Sequence, residues 1–247
     1  MTKMYAVRVD HVWFRYGKEK WTLKDVSTSI REGRVVGLVG PTGSGKTTLA
    51  KLIKGLLKPA KGEIYIFGKK VSELDPRQIA REVGYLFQNP THQIFSLTVY
   101  DEIAFGPRNI GMDNIEERVK NIAEKLGLVD KLKVSPFNLS TGEKERVAIA
   151  SVLVMDPRII ILDEPTLGQD YRNYTLIKRI ITDLRREGKT VILISHELDL
   201  LEPCVTDIVA LKDGMIVFEG KREEFFENDT VMKSVGFVGL NIAELIV

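Results

Sequence analysis

Nine consecutive residues, Gly40-Pro41-Thr42-Gly43-Ser44-Gly45-Lys46-Thr47-Thr48, constrain this chain more than any other stretch. They match G-x-x-x-x-G-K-[ST] and sit between an apolar run, Val35 to Val39, and a helical pattern that begins at Lys46. A strand feeding a glycine-rich turn that opens a helix is the context in which this pattern cradles phosphate. Backbone N–H groups of the turn surround the β-phosphate of a nucleotide, Lys46 reaches the β and γ oxygens, and the Thr47 hydroxyl is a ligand for Mg²⁺. A turn that merely feeds a helix is the bland alternative, and the flanking elements weigh against it.

The remaining pattern sets that turn in an α/β chain. Tyr5 to Tyr16 partly alternates, Leu23 to Ile30 and Arg34 to Val39 read as strands around Arg31-Glu32-Gly33, and Glu63 to Phe67 adds another, so the N-terminal part reads as a β-rich edge. The helix from Lys46 sets Leu49, Leu52, Ile53 and Leu56 on one face and stops before Pro59. After a strand from Val83 to Phe87, residues from about 90 to 155 turn mainly helical. There Ile115, Val119, Ile122, Ala123 and Leu126 fall at helical spacing, with Asp113 as N-cap and Gly127 as stop. Ile159 to Leu162 reads as a buried parallel strand, Tyr174 to Leu184 as a helix closed by Gly188, and Val191 to Ile194 as the next strand. That βαβ unit implies a right-handed crossover in a mainly parallel sheet. Asp213-Gly214 predicts a hairpin. One domain over 1–247 is expected: a core from 1–88 and 156–220, a helical lobe inserted at about 89–155, and an extension from 221–247.

Two further features carry chemistry. Asp163-Glu164-Pro165 ends the buried strand at its C-terminal edge, where parallel sheets bind ligands. Asp163 is the expected metal-side carboxylate and Glu164 the expected general base for water beside the γ-phosphate. A helix cap or a solvated loop start is the alternative. The second feature is LSTGEKERVAIA, residues 139–150, where Ser140 as N-cap and Glu143 three residues later form a capping box. A helix start with small residues and free N–H groups is an anion site. Unlike the first phosphate turn, it has no lysine equivalent to Lys46.

Charge and composition exclude several classes. With 36 Lys and Arg against 34 Asp and Glu, the net charge of +2 creates no global field toward nucleic acid. The one cysteine, Cys204, excludes an internal disulfide, fits a reducing cytoplasm and reads as a small buried apolar residue. The first ten residues lack the apolar run of a secretory signal, and no stretch has the ~20 apolar residues of a membrane span. Work at a membrane would require docking on a partner that spans it.

The order of GPTGSGKTT, Gln88 after the strand ending in Phe87, LSTGEKERVAIA, IIILDEPTLGQD and His196 after VILIS resembles the ATP-binding-cassette ATPases over nearly the whole chain. The resemblance implies a P-loop NTPase core of RecA-like type with a mainly parallel sheet, an N-terminal antiparallel β subdomain and an inserted α-helical subdomain. It implies ATP and Mg²⁺ as cofactors. It makes Tyr16 the aromatic residue stacked on adenine, Gln88 a contact to Mg²⁺ and water, His196 the histidine at the γ-phosphate, and Asp170 the aspartate of the loop after the catalytic strand. Ser140, Thr141, Gly142 and Glu143 would then serve the ATP held by a partner's phosphate loop. Simple packing for Tyr16 and a capping or surface role for His196 stay open.

The segment from Gln88 to Gly106 narrows the likeness. Its FQNP, Gln93-Ile94-Phe95, Thr98-Val99 and Asp101-Glu102-Ile103-Ala104-Phe105-Gly106 resemble the ATPases of energy-coupling-factor and cobalt-type importers. This implies a second ATPase subunit, identical or not, an integral membrane coupling protein, a substrate-capture protein, no nucleic acid, and a peripheral place on the cytoplasmic face of the membrane. Vitamins or transition-metal ions would be the cargo. Ile94, Phe95, Leu97, Val99 and Tyr100 would line a groove for coupling helices, or else form the core of the helical lobe. Two residues depart from the family pattern: Thr141 where glycine is usual, and Gln169 where an apolar residue is. A soluble ATPase of the same family without a membrane partner is the competing reading.

Overall fold

A computed structural model describes residues 5–88, 93–166 and 171–237, the side chain of Arg172 excepted. The chain enters through β1 (Tyr5–Phe14) and β2 (Leu23–Arg31), an antiparallel pair whose inner residues alternate with exposed ones. It turns at Glu32-Gly33 into β3 (Val35–Val39), which does not pair with β2. The sequence pattern grouped these strands at one edge; the structure sends β3 instead to the interior of a second sheet. The reason lies in its residues, all five of which are buried, as a central parallel strand requires.

Beyond β3 come α1 (Lys46–Ile53), β4 (Lys61–Ile66), β5 (Lys69–Lys70), α2 (Pro76–Glu82) and β6 (Val83–Leu86). Helices α3 (Val99–Ile110), α4 (Ile115–Leu126) and α5 (Thr141–Leu153) pack on one another and precede β7 (Ile159–Asp163). The chain continues through α6 (Tyr171–Arg186), β8 (Thr190–Ile194), α7 (Leu198–Cys204), β9 (Asp207–Lys212) and β10 (Met215–Lys221), then α8 (Arg222–Phe226) and α9 (Asp229–Ser234). One sheet has the order β2-β1-β4-β5 and is antiparallel; the other has the order β10-β9-β3-β8-β7-β6 and is parallel except for β10. The β9–β10 hairpin turns at Asp213-Gly214, both in left-handed backbone (φ 51° and 81°), as a two-residue turn demands. Each fully buried Val, Leu or Ile in β3, β7 and β8 contributes about 1.5–3 kcal/mol.

Three local expectations need correction. Leu56 is not on the apolar face of α1, because that helix ends at Ile53, three residues before the last apolar position of its pattern. Gly55 (φ 73°) closes it with paired bonds, Gly55 N–H to the Leu52 carbonyl and Leu56 N–H to that of Lys51, which leaves Leu56 51% exposed. The N-cap of α4 is Asn114 in left-handed backbone, a conformation Asn tolerates, and not Asp113. The five apolar residues after Gln88 divide: Ile94 and Val99 are core and Tyr100 packs against it, whereas Phe95 and Leu97 are 57% and 83% exposed. Cys204 is buried among apolar side chains, as its solitary place in the sequence suggests, and burial pushes its thiol pKa up. No helix among the described residues is long and apolar enough to cross a membrane.

Candidate active site

The phosphate turn leaves the C-terminal end of β3 and is pressed against β9. At Gly40 (φ 144°) a Cβ atom would lie 2.0 Å from the Leu211 carbonyl oxygen, so no other residue fits. Gly43 and Gly45 are also left-handed, which curls the backbone into α1. Inside that curl the Ser44 hydroxyl is buried without a hydrogen bond. Lys46 Nζ donates to the carbonyls of Gly40 (2.7 Å) and Pro41 (3.0 Å). Burial lowers its pKa, and the carboxylates of Glu164 and Asp163 act against that shift.

Asp163 ends β7 and is 1% exposed. Its two oxygens have separate donors: the Thr47 hydroxyl at 3.2 Å on one and the Tyr85 hydroxyl at 2.7 Å on the other. Tyr85 comes from β6, the strand beside β7, and burial together with the Asp163 charge pushes its phenol pKa far up. Sequence reasoning missed Tyr85. The available signal was a hydroxyl-bearing ring inside an otherwise apolar strand, which needs a partner when buried.

Glu164 follows in left-handed backbone (φ 50°), and its N–H donates to the Ile194 carbonyl at 2.9 Å. Because Asp163 pairs with Ile194 across β7 and β8, the residues just beyond those strands lie side by side. There His196 Nδ1 meets Glu164 Oε2 at 2.9 Å. Burial raises the Glu164 pKa above its ordinary 4.5, while His196 and then Lys46 pull it down. Tyr16 stands beside the first turn of α1, its hydroxyl 3.2 Å from Thr48 Oγ1 and its ring edge-on to Phe14. It is 42% exposed.

The structure thus gathers the phosphate turn, Tyr16, Asp163, Glu164 and His196, and adds Tyr85. Gln88 is exposed just past β6 and makes none of these hydrogen bonds. Asp170 and Gln169 lie outside the described residues, as do 89–92. The capping box at the start of α5 forms as expected. Glu143 N–H donates to Ser140 Oγ (3.3 Å), while the Ser140 N–H and hydroxyl donate to Glu143 Oε2 (2.9 and 2.8 Å). These two donors, with Lys131 nearby, hold the Glu143 carboxyl below its usual range. Among the described residues, no hydrogen bond or ion pair joins residues 140–143 to residues 40–48 of the same chain. Thr141 is exposed at the first helical position.

The residues present fit a magnesium nucleotide. Thr47 and Asp163 offer paired hard oxygens of the kind Mg²⁺ takes, and the buried Ser44 hydroxyl is a donor with nothing else to bind. The family model described as ABC transporter matches residues 23–167. The energy-coupling factor transporter ATP-binding protein of Methanocaldococcus jannaschii is 38% identical over 236 residues, covering 94% of this chain and 85% of that protein. The structure of cbiO1 from Clostridium perfringens, part of the ABC transporter complex cbiONQ, matches with a TM-score of 0.81 and 31% identity over 99% of each chain. A dimeric ATP-binding cassette in a post-hydrolysis state with ADP and Pi matches with a TM-score of 0.77 and 30% identity, over 87% of this chain and 98% of that one.

Proposed function

The chain belongs to the ABC transporter family and is an ATP-hydrolysing subunit that uses Mg²⁺, and from that premise we propose that it powers an energy-coupling-factor type importer of vitamins or transition-metal ions. The observation that carries the reading is the meeting of Glu164 and His196 at 2.9 Å beside a phosphate turn whose Thr47 touches Asp163. Tyr16 stacks on adenine, the backbone of residues 40–48 receives the phosphates, and Lys46 turns from its two carbonyls to the β and γ oxygens. Thr47, Asp163 and Gln88 would hold Mg²⁺, which would supply charge neutralisation to the phosphates. Glu164 takes a proton from the attacking water, and His196 orients its carboxylate and contacts the γ-phosphate.

Two such subunits meet head to tail, so that Ser140, Thr141, Gly142 and Glu143 complete the site of the neighbour. That no hydrogen bond or ion pair among the described residues joins 140–143 to this chain's own phosphate turn supports that reading, as does the dimeric state of the matching cassette. ATP closes the pair and hydrolysis opens it. The helices between about 89 and 155 transmit the motion to a membrane coupling protein at the cytoplasmic face, with a separate capture protein choosing the cargo. The exposed Phe95, Leu97 and Phe105 offer the apolar contact.

Replacing Glu164 with Gln tests the hydrolytic reading. Turnover is lost, and ATP-bound dimers accumulate in size-exclusion chromatography; undiminished hydrolysis overturns the assignment. Affinity purification from native membranes tests the importer. Recovery of an integral membrane protein supports it, and recovery of soluble partners alone favours a soluble ATPase of the same family.

A further inference from the structure

The hairpin of β9 and β10 reaches the phosphate turn twice. Leu211, near the end of β9, sets its carbonyl against Gly40. The second approach runs through residues 22–24. At Gly45 (φ 107°) a Cβ atom would lie 2.6 Å from Leu23 Cδ2 and 3.1 Å from the Thr22 carbonyl oxygen. The same Thr22 oxygen forbids a side chain at Gly214, where a Cβ would lie 2.5 Å from it and 3.3 Å from Leu23 Cα. Lys24 N–H donates to the Gly214 carbonyl at 2.8 Å, and Thr22 N–H donates to that of Phe14 at 2.8 Å. The atoms that meet Gly214 are backbone held by hydrogen bonds, so they cannot swing aside as the end of a side chain can. Residues 22–24 are thus held in common by the hairpin turn and the last glycine of the phosphate turn.

A second turn of the same shape shows that the hairpin itself does not demand this contact. Phe67-Gly68 joins β4 to β5 with φ 47° and 79°, against 51° and 81° at Asp213-Gly214. A Cβ on Gly68 would meet nothing within 4 Å. Both glycines serve left-handed backbone, but of the two Gly214 alone also presses on another segment. We propose that the Asp213-Gly214 turn positions the phosphate turn: it fixes the backbone of residues 22–24 against Gly45 and, with Leu211 against Gly40, keeps both ends of the cradle in place before a nucleotide arrives. The inference rests on the reading that residues 40–48 receive the phosphates. Convergent N–H groups repel one another until an anion joins them, and a cradle already in shape binds that anion more tightly because less ordering is left to do. Once bound, the phosphates hold the turn themselves. The brace therefore acts on affinity and not on hydrolysis.

The test compares Gly214→Asn with Gly68→Asn. Asn tolerates left-handed backbone, so each variant keeps its turn while gaining a Cβ. Gly214→Asn raises the Kd for ADP and for ATP, read by calorimetry, by about tenfold. It raises KM for ATP while kcat at saturation stays within about twofold, the pattern of lost uniform binding. It also speeds amide hydrogen exchange over residues 40–46 in the nucleotide-free protein. Gly68→Asn leaves all three as in the unchanged protein. Equal behaviour of the two variants, or a loss confined to kcat, overturns the proposal. If Gly214→Asn does not fold, Thr28→Val reads the same link more gently, because Thr28 Oγ1 donates to Glu219 Oε1 at 2.9 Å and ties β2 to β10 further along. Its Kd for ADP rises by about threefold, the scale of one lost hydrogen bond, and an unchanged Kd overturns the proposal. Lys46→Ala is measured alongside. Undiminished ADP binding there removes the phosphate reading itself, whereas its loss together with equal behaviour of the two Asn variants removes only the brace.

Discussion

At the scale of single residues, the two carboxylates at the end of β7 differ in how they are held. Asp163 is fully buried with a donor on each oxygen, and Tyr85 supplies the shorter bond. Tyr85→Phe leaves one buried charged oxygen unmet, which costs about 1.5–3 kcal/mol. Chemical denaturation reads that loss, and the Mg²⁺ concentration for half-maximal ATP turnover rises. Glu164 is poised differently, since burial raises its pKa and His196 opposes the rise. A general base must be ionised, so activity falls as pH drops through a pKa that lies above the ordinary 4.5. His196→Ala removes the group that favours the carboxylate, and the acid limb of kcat moves to higher pH. A limb that stays in place or moves down contradicts the pairing. The place of both carboxylates beside the phosphate turn was legible in Asp163-Glu164 at the end of an apolar run. The left-handed backbone of Glu164 was not, because it goes with a bond from its N–H to Ile194 on a neighbouring strand distant in sequence.

At the scale of elements, the loop before α3 is fixed by a carboxylate that sequence reasoning did not single out. Glu102, 4% exposed in the first turn of α3, accepts the N–H groups of Phe95 (3.0 Å) and Ser96 (2.8 Å). A carboxylate there also suits the positive end of the helix. This clasp turns Phe95 and Leu97 outward and sets the Phe95 ring edge-on to Phe105 at 4.7 Å. Apolar composition alone could not say which of the five residues would face out, because the decision is made by backbone bonds to Glu102. Changing Phe95 and Leu97 together to Asp should leave thermal stability nearly unchanged, within about 0.5 kcal/mol for each exposed site. It should abolish co-purification of the membrane partner, and retention of that partner places the contact elsewhere. Leu56 shows a similar limit of periodicity, since the helix pattern ran through Gly55 while the chain turned away at that glycine.

At the scale of the whole molecule, the parallel sheet and its βαβ unit were written in the buried runs of β7 and β8 and in the phosphate turn after β3. The split of the N-terminal strands between two sheets was not, because pairing partners of β3 lie far along the chain. They are β8 at Thr190–Ile194 and β9 at Asp207–Lys212. That arrangement matters during biosynthesis. Until residue 212 has been translated, the strand that ends in the phosphate turn lacks a neighbour on at least one edge, and Gly40 has no Leu211 carbonyl to rest against. At about 5–20 residues per second, ribosomes need roughly 10–35 s to travel from residue 39 to residue 212. Throughout that interval the nascent Val-Val-Gly-Leu-Val strand is an open template for foreign pairing. Translation stopped early would therefore yield aggregate rather than a partly active fragment.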